Sequence, residues 1–296
     1  MGLPSPSMRN KIGAKISAKN QKVIADEHGY NIKNITGVAG GHRTVLHNEM
    51  HTVIADSISS AGINIIGKPP ETCSNIFSNE INIQHTTADD ERIVQGIIPD
   101  MLIKDNNIHQ RNMDDSPTMY DNRDTLMDVK TLGPGLSYKK KNYRTKPVDT
   151  RQERVNADYH KHAKDLDNKY NNDDRITKKL DSFGNEGKVA GLVVGAFGEM
   201  SDHMNQLALF ISKREAEKRS QHMNMDKTKI KQLQSKILKS LKISWGLTAH
   251  RGWARLLINR TALLITRDNT GEADAGDTDE EDNEDMINEE DLWIQQ

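Results

Sequence analysis

Two short apolar segments, each with an aspartate in its interior, constrain the fold of this chain more than any other feature. They read GIIPDMLI (96–103) and DTLMDVKTL (124–132). Apolar runs of this length between turn-forming residues predict buried β-strands. Two shorter stretches, INII (63–66) and EINIQ (80–84), are predicted to be strands as well. The middle of the chain is therefore expected to form a sheet.

Helices are predicted before and after these strands. From Arg43 to Ala61, apolar residues recur at steps of three and four, which predicts an amphipathic helix that ends at Gly62. A polar helix is expected from about Arg154 to Tyr170. Together with the strands, this order predicts an α/β fold with a mixed sheet flanked by helices.

The second half of the chain is predicted to be helical. The segment 182–219 combines a glycine-rich apolar hinge, which we interpret as close helix packing, with a helix that begins at Ser201 and Asp202. Two further helices are expected between Lys227 and Ile265. These helices form a basic C-terminal extension of the fold.

Charge is segregated along the chain. Residues 268–296 contain 13 Asp and Glu and no Lys or Arg, so the preceding 267 residues carry +11 although the net charge is -2. This composition predicts a disordered acidic tail that competes with polyanions for the basic surface. Within the tail, Leu292, Trp293 and Ile294 form a candidate docking motif, and a purely solubilising tail is the alternative.

The single cysteine and the lack of long apolar runs narrow the class of protein. Cys73 alone cannot form an intramolecular disulfide or a zinc site built from several thiolates. No run approaches the roughly 18 apolar residues of a membrane span, and the N-terminus resembles no secretory signal. We therefore expect an intracellular protein, nuclear or cytoplasmic, with no membrane contact.

The candidate chemistry lies on the two longest predicted strands. Asp100 is on one, and Asp128 and Lys130 are on the next, where alternation places both on the same face. Paired carboxylates bind a hard divalent cation such as Mg²⁺ or Mn²⁺. Lys130 beside such an ion could orient or help deprotonate a water that attacks a phosphodiester. The alternative is that Asp128 and Lys130 form a solvated ion pair on an edge strand.

The P-D and D-V-K sequences at 99–100 and 128–130 resemble the motif of the PD-(D/E)XK nuclease superfamily. The resemblance implies the restriction-endonuclease-like fold, in which a helix precedes a mixed sheet that carries the motif. It implies that the two aspartates bind metal and that the lysine is catalytic. It also implies that Glu49, on the preceding helix, is a further metal ligand.

A longer resemblance extends from about residue 25 to 265. The segments 28–63, 128–138, 179–202 and 245–260 look like a nuclease-like domain of eukaryotic mobile elements, such as retrotransposons, often encoded beside reverse transcriptases. In those relatives a small zinc ribbon of cysteines and histidines precedes the first helix. Here no cysteine stands there, and only Asp26, His28 and His42 could serve as ligands.

The resemblance and the composition together divide the chain into four parts. Residues 1–40 are expected to be a loose N-terminal arm with a degenerate remnant of the zinc ribbon, and 41–180 the nuclease-like domain. Residues 181–267 form the helical basic extension, and 268–296 form the disordered acidic tail.

The expected function is metal-dependent hydrolysis of nucleic acid, by a DNA endonuclease of a mobile element. Its phosphate contacts are predicted at Lys139, Lys140, Lys141, Arg144 and Lys164. Two alternatives stay open. The chain could be an inactive nucleic-acid-binding or protein-assembly module that keeps the fold, with protein partners at its C-terminal helices or tail. A zinc site on His47 and His51, four residues apart on one helix, is a further alternative.

Overall fold

The structure is a computed structural model of mixed α/β type. It describes residues 15–18, 21–24, 42–71, 73–80, 97–104, 119–120, 124–133, 147–184, 188–223 and 225–268. The strands are β1 (Lys15–Ala18), β2 (Gln21–Ile24), β3 (Ile65–Ile66), β4 (Met101–Ile103), β5 (Thr125–Leu132) and β6 (Ala190–Gly195). The α-helices in the described part are α1 (His42–Ser60), α2 (Pro147–Tyr170), α3 (Arg175–Asp181), α4 (Asp202–Met223) and α5 (Lys227–Asp268).

A four-stranded mixed sheet in the order β3-β4-β5-β6 organises the fold. Strands β3, β4 and β5 are antiparallel neighbours, and β5 pairs in parallel with β6. A parallel pair needs a crossover connection, and α2 and α3 lie in the segment between β5 and β6. The predicted strands at 63–66, 96–103 and 124–132 are confirmed as β3, β4 and β5, although β3 and β4 are shorter than expected. The strand predicted at 80–84 lies almost wholly outside the described residues.

Strand β6 corrects the prediction of a glycine-rich hinge. Its six residues are all buried and read AGLVVG. A Cβ on Gly191 would lie 3.1 Å from Gln152 Cα and 3.2 Å from Val155 Cβ. The glycine therefore lets α2 pack closely against the strand, as a helix against a sheet rather than as two helices. Because β6 belongs to the same sheet as β5, the boundary expected at residue 180 does not separate the sheet from the helical extension.

The sheet separates two apolar layers. Met101, Met127 and Val129 face a core shared with α1, α4 and α5. Leu102 and Leu126, one residue out of phase, face a second core shared with α2 and α3. This alternation follows from the two-residue repeat of a strand. Because the sheet is covered on both faces, β4 is buried throughout and β5 is buried over its first five residues, so the polar side chains of β5 are exceptions in a mostly apolar layer.

The last helix is one element of 42 residues, whereas two helices were predicted between Lys227 and Ile265. Helix α5 passes Gly246 and Gly252 without a break. These glycines allow close packing, since Gly246 lies against Gly198 and Gly252 lies against the Leu46 side chain. Trp245, fully buried, donates from Nε1 to Ser57 Oγ at 3.1 Å and so joins α5 to α1.

The remaining expectations concern the ends of the chain. Strands β1 and β2 form an antiparallel pair within residues 1–40, where no secondary structure was predicted. Asp26, His28 and the acidic tail from residue 269 lie outside the described residues, as does the His42 side chain. In the part of the chain that is described, no helix is long and apolar enough to cross a membrane.

Candidate functional site

Asp100 and Asp128 lie side by side where β4 begins. The β4–β5 ladder pairs Met101 with Met127, and one further step in that register sets Asp100 opposite Asp128. Asp100 Oδ2 accepts the backbone N–H of Val129 at 2.6 Å. The structure thus brings together the two carboxylates that were predicted as metal ligands.

Lys130 lies on the same face of β5 as Asp128. Its Nζ donates to Asp128 Oδ1 at 3.1 Å and lies 2.9 Å from Oδ2. The contact to Oδ2 is an ion pair only, because that buried oxygen accepts no hydrogen bond of good geometry from the described residues. With 4% of its side chain exposed, Asp128 is shielded from solvent, which argues against the solvated edge-strand pair.

Burial and neighbouring charges set the ionisation of this cluster. Burial raises the pKa of Asp128, and the charge of Asp100 adds to the rise against the opposing charge of Lys130. Burial also acts to raise the pKa of Asp100, but the hydrogen bond and charge of His47 lower it overall. For Lys130, burial is outweighed by the two carboxylates, so its pKa is raised. Lys130 is therefore an ammonium at neutral pH, and Asp128 is the carboxylate that gains a proton more readily.

Two histidines of α1 face Asp100. His47 Nε2 lies 3.1 Å from Asp100 Oδ2. Burial acts to lower the pKa of His47, but the hydrogen bond and charge of Asp100 raise it overall. His51, one turn later, has its ring centroid 6.1 Å from that of His47. Burial lowers the pKa of His51, and its buried Nε2 has no hydrogen-bond partner of good geometry among the described residues.

Tyr159 approaches the site from the opposite helical layer. Its hydroxyl donates to Asp128 Oδ1 at 3.0 Å from the middle of α2. Asp100 is thus held from α1 and Asp128 from α2, so the site lies between the two layers that cover the sheet.

Glu49 does not join the cluster. Its carboxylate forms an ion pair with Arg255 on α5. Glu49 is two positions after His47 in the helix, which is a rotation of about 200° around its axis. Since His47 faces Asp100, Glu49 faces away from it. The helix predicted to contribute a ligand does reach the site, but with a histidine in place of the glutamate.

The predicted phosphate contacts are only partly described. Lys164 is exposed on α2. Lys139, Lys140, Lys141 and Arg144 lie outside the described residues. Further exposed lysines lie along the first half of α5, where no acidic side chain accompanies them after Asp226; they are Lys227, Lys229, Lys231, Lys236, Lys239 and Lys242.

Asp100 and Asp128 supply oxygen donors of the type that a hard divalent cation accepts. In the described part of the chain, no group of three His, Cys, Asp or Glu side chains is arranged to hold a metal ion. Two adjacent carboxylates are nevertheless sufficient for Mg²⁺, which keeps several waters and takes one or two carboxylates. Asp128 Oδ2, which is buried and has the Lys130 ammonium at 2.9 Å but no hydrogen bond of good geometry among the described residues, is the oxygen that would bind such an ion.

Comparison with known proteins identifies no relative of this chain. No protein-family profile, no curated protein and no solved structure matches the chain. The site is therefore interpreted from its own geometry.

Two contacts of this site were not found by reasoning from the sequence. His47 was considered only as half of a zinc pair with His51, yet it is the partner of Asp100. Tyr159 lies within the polar helix expected from about Arg154 to Tyr170, but its bond to Asp128 was not predicted. The available signal was the i, i+4 spacing of the histidines, which gives them one helix face but does not say what that face meets.

Proposed function

We propose that this chain is a metal-dependent nuclease with the restriction-endonuclease-like fold, encoded by a mobile element and acting on DNA. The observation that carries the proposal is the cluster of Asp100, Asp128 and Lys130 on two paired strands. The order of elements supports the fold, since α1 precedes a mixed sheet whose neighbouring strands carry the P-D and D-V-K residues.

Each side chain has a distinct role in this proposal. Asp100 and Asp128 would hold Mg²⁺ or Mn²⁺, and His47 and Tyr159 fix the directions of the two carboxylates. When bound, the ion would polarise a phosphoryl oxygen and lower the pKa of a coordinated water. Lys130, an ammonium beside both carboxylates, orients the attacking water and offsets the negative charge that develops on the phosphate.

The substrate is nucleic acid because the body of the chain is basic. A surface of lysines contacts phosphates without reading bases, so the affinity falls steeply with salt. Lys164 lies on the same helix as Tyr159, five residues later and about 140° around the helix axis, so its exposed side chain adds a cation to the outer surface of α2 and not to the cluster itself. The lysines of α5 extend the basic surface over the helical layer on the other side of the sheet.

A second candidate function is an inactive nucleic-acid-binding or assembly module with the same fold. Two observations favour it. Lys130 is paired directly with Asp128, and Glu49 is occupied by Arg255. Such a module would bind nucleic acid in a salt-sensitive way and cleave nothing.

Cleavage of a supercoiled plasmid separates the two. The full chain is incubated with plasmid in Mg²⁺, in Mn²⁺ and in chelator, beside Lys130→Ala. The matched control is Lys104→Ala, because Lys104 pairs with Asp124 at 3.0 Å at the other end of the same two strands. The nuclease is supported if the wild type and Lys104→Ala nick the plasmid only when the divalent ion is present, and if Lys130→Ala does not nick it.

The opposite result is equally clear. If the folded wild-type chain retards the plasmid on a gel but leaves it intact with every ion, the nuclease proposal fails and the binding module replaces it. Thermal melting of each variant distinguishes a lost function from a lost fold. Lys130→Arg serves as a second variant, since it keeps the cation beside Asp128 but alters its shape.

A further inference from the structure

The outward face of α5 carries an apolar stripe that is open to solvent. Ile243, Leu247 and Ile258 are 50%, 46% and 66% exposed, and Ala254 is exposed between them. Steps of four, seven and four residues keep all four on one side of a helix. The core-facing side of α5 is separate from this stripe and contributes Trp245, Ala249, Trp253 and Leu256.

The charge of α5 restricts what can cover the stripe. The helix contains ten Lys and Arg, and its only acidic residue is Asp268 at its end. Exposed cations flank the stripe, among them Lys239 before it and Arg251 within it. A second copy of α5 laid on the same face would bring like charges together, which is unfavourable. The complementary occupant is a segment that is both acidic and apolar.

The tail of this chain contains such a segment. Glu289, Glu290 and Asp291 are followed directly by Leu292, Trp293 and Ile294. We propose that residues 289–294 dock on the outer stripe of α5. The three apolar side chains cover Ile243 and Leu247, and the three acids lie beside the flanking cations. Aromatic and aliphatic anchors ringed by charge pairs are the usual composition of a small docking site.

The connecting chain is long enough for this contact. Leu247 lies 21 residues before Asp268 in a continuous helix, a distance of about 32 Å. The 24 residues from Asp268 to Leu292 span about 27 Å as a flexible chain and at most about 80 Å when extended. Leu247 therefore lies slightly beyond the average span of the connecting chain and well within its extended length, and tethering gives the segment a millimolar effective concentration there.

Docking would also place acids along the basic helix. Residues 269–296 contain 12 Asp and Glu, and they would lie over a surface whose cations otherwise attract phosphates. The contact itself does not depend on the proposed nuclease activity, because it joins two parts of the chain through their own charges and apolar side chains.

Crosslinking of engineered cysteines tests the contact in the full chain. Ser244→Cys, exposed between Ile243 and Leu247, is combined with Gln295→Cys, which leaves the apolar side chains of the proposed contact in place. The pair is treated with a short bismaleimide, and mass spectrometry identifies the linked peptides. The matched control combines Val45→Cys with Gln295→Cys. Val45 is 51% exposed on α1, and its neighbour Leu46 touches Gly252 of α5, so a freely diffusing tail would meet it as readily. The native Cys73 is buried.

Docking predicts intramolecular linkage to position 244 at least about fivefold faster than to position 45, because the local concentration of the tail is higher on the stripe. An added Ile243→Asp should reduce that preference, since it places an acid where the apolar side chains would lie. Equal rates at both positions would overturn the proposal. Linkage only between two molecules would overturn it as well and would identify a second copy as the occupant.

Discussion

His47 Nε2 lies 3.1 Å from Asp100 Oδ2, so a single hydrogen bond joins helix α1 to the residue that precedes β4. Without the His47 side chain, the partly shielded carboxylate of Asp100 loses one hydrogen-bond donor. We expect His47→Ala to lower the free energy of unfolding by about 1.5–3 kcal/mol, the range for hydrogen bonds to charged groups. Urea denaturation measures the change. His47→Gln keeps a donor and should recover part of the loss, whereas wild-type stability in His47→Ala would show that the bond contributes nothing.

Tyr159 and Tyr170 on α2 offer a matched pair of hydroxyl deletions. Tyr159 donates to Asp128 at 3.0 Å, whereas the buried hydroxyl of Tyr170 has no hydrogen-bond partner in the described part of the chain. Tyr159→Phe should therefore destabilise the fold by about 1.5–3 kcal/mol, and Tyr170→Phe should be neutral or stabilising. Chemical denaturation of both variants decides this, and equal losses would show that the Asp128 contact is not formed in solution.

The strands of the site could be predicted because burial on both faces leaves a clear sequence signal. The apolar runs that end at Ile103 and Leu132 are short, and short apolar runs are typical of buried strands. The two-residue repeat of a strand then places Asp128 and Lys130 on the same face. The pairing of Asp100 with Asp128 also follows, once the two strands are taken as neighbours.

Strand β6 and the facing of α1 could not be predicted in the same way. Gly191 resembles a hinge residue until α2 is known to lie 3.1 Å from its missing Cβ, and such a contact between distant segments leaves no local pattern. Glu49 and His47 both lie on α1 near the motif, but only the packing of α1 against α5, where Arg255 binds Glu49, fixes which of them meets Asp100.

Two glycines in the interior of α5 should respond oppositely to alanine. A Cβ on Gly246 would meet its nearest neighbour, Gly198 Cα, at 3.6 Å, an ordinary contact. Gly246→Ala should then stabilise the chain by about 0.5–1 kcal/mol through helix propensity. A Cβ on Gly252 would collide with the buried Leu46 side chain, so Gly252→Ala should destabilise it by about 1–3 kcal/mol. Thermal melting compares them, and a shift of the same sign in both would contradict the packing of α1 on α5.

His203 at the start of α4 should make stability depend on pH. Its Nδ1 is buried without a hydrogen-bond partner among the described residues. Burial lowers the pKa of His203, although the charge of Asp202 acts in the opposite direction. Because the unfolded chain has the higher pKa, about 6.5, it binds more protons as the pH falls, and the folded state loses stability below that pH.

This linkage can be measured on a matched pair of histidine variants. Between about pH 7.5 and about pH 5.5, the change in the free energy of unfolding should be less favourable to the folded state in the wild type than in His203→Gln, which cannot take up the proton on unfolding. His250→Gln is the control, since His250 is exposed on α5 and its replacement should leave the wild-type slope. If both variants keep that slope, the proton taken up on unfolding belongs to another group, and the Nδ1 of His203 is solvated in the folded chain.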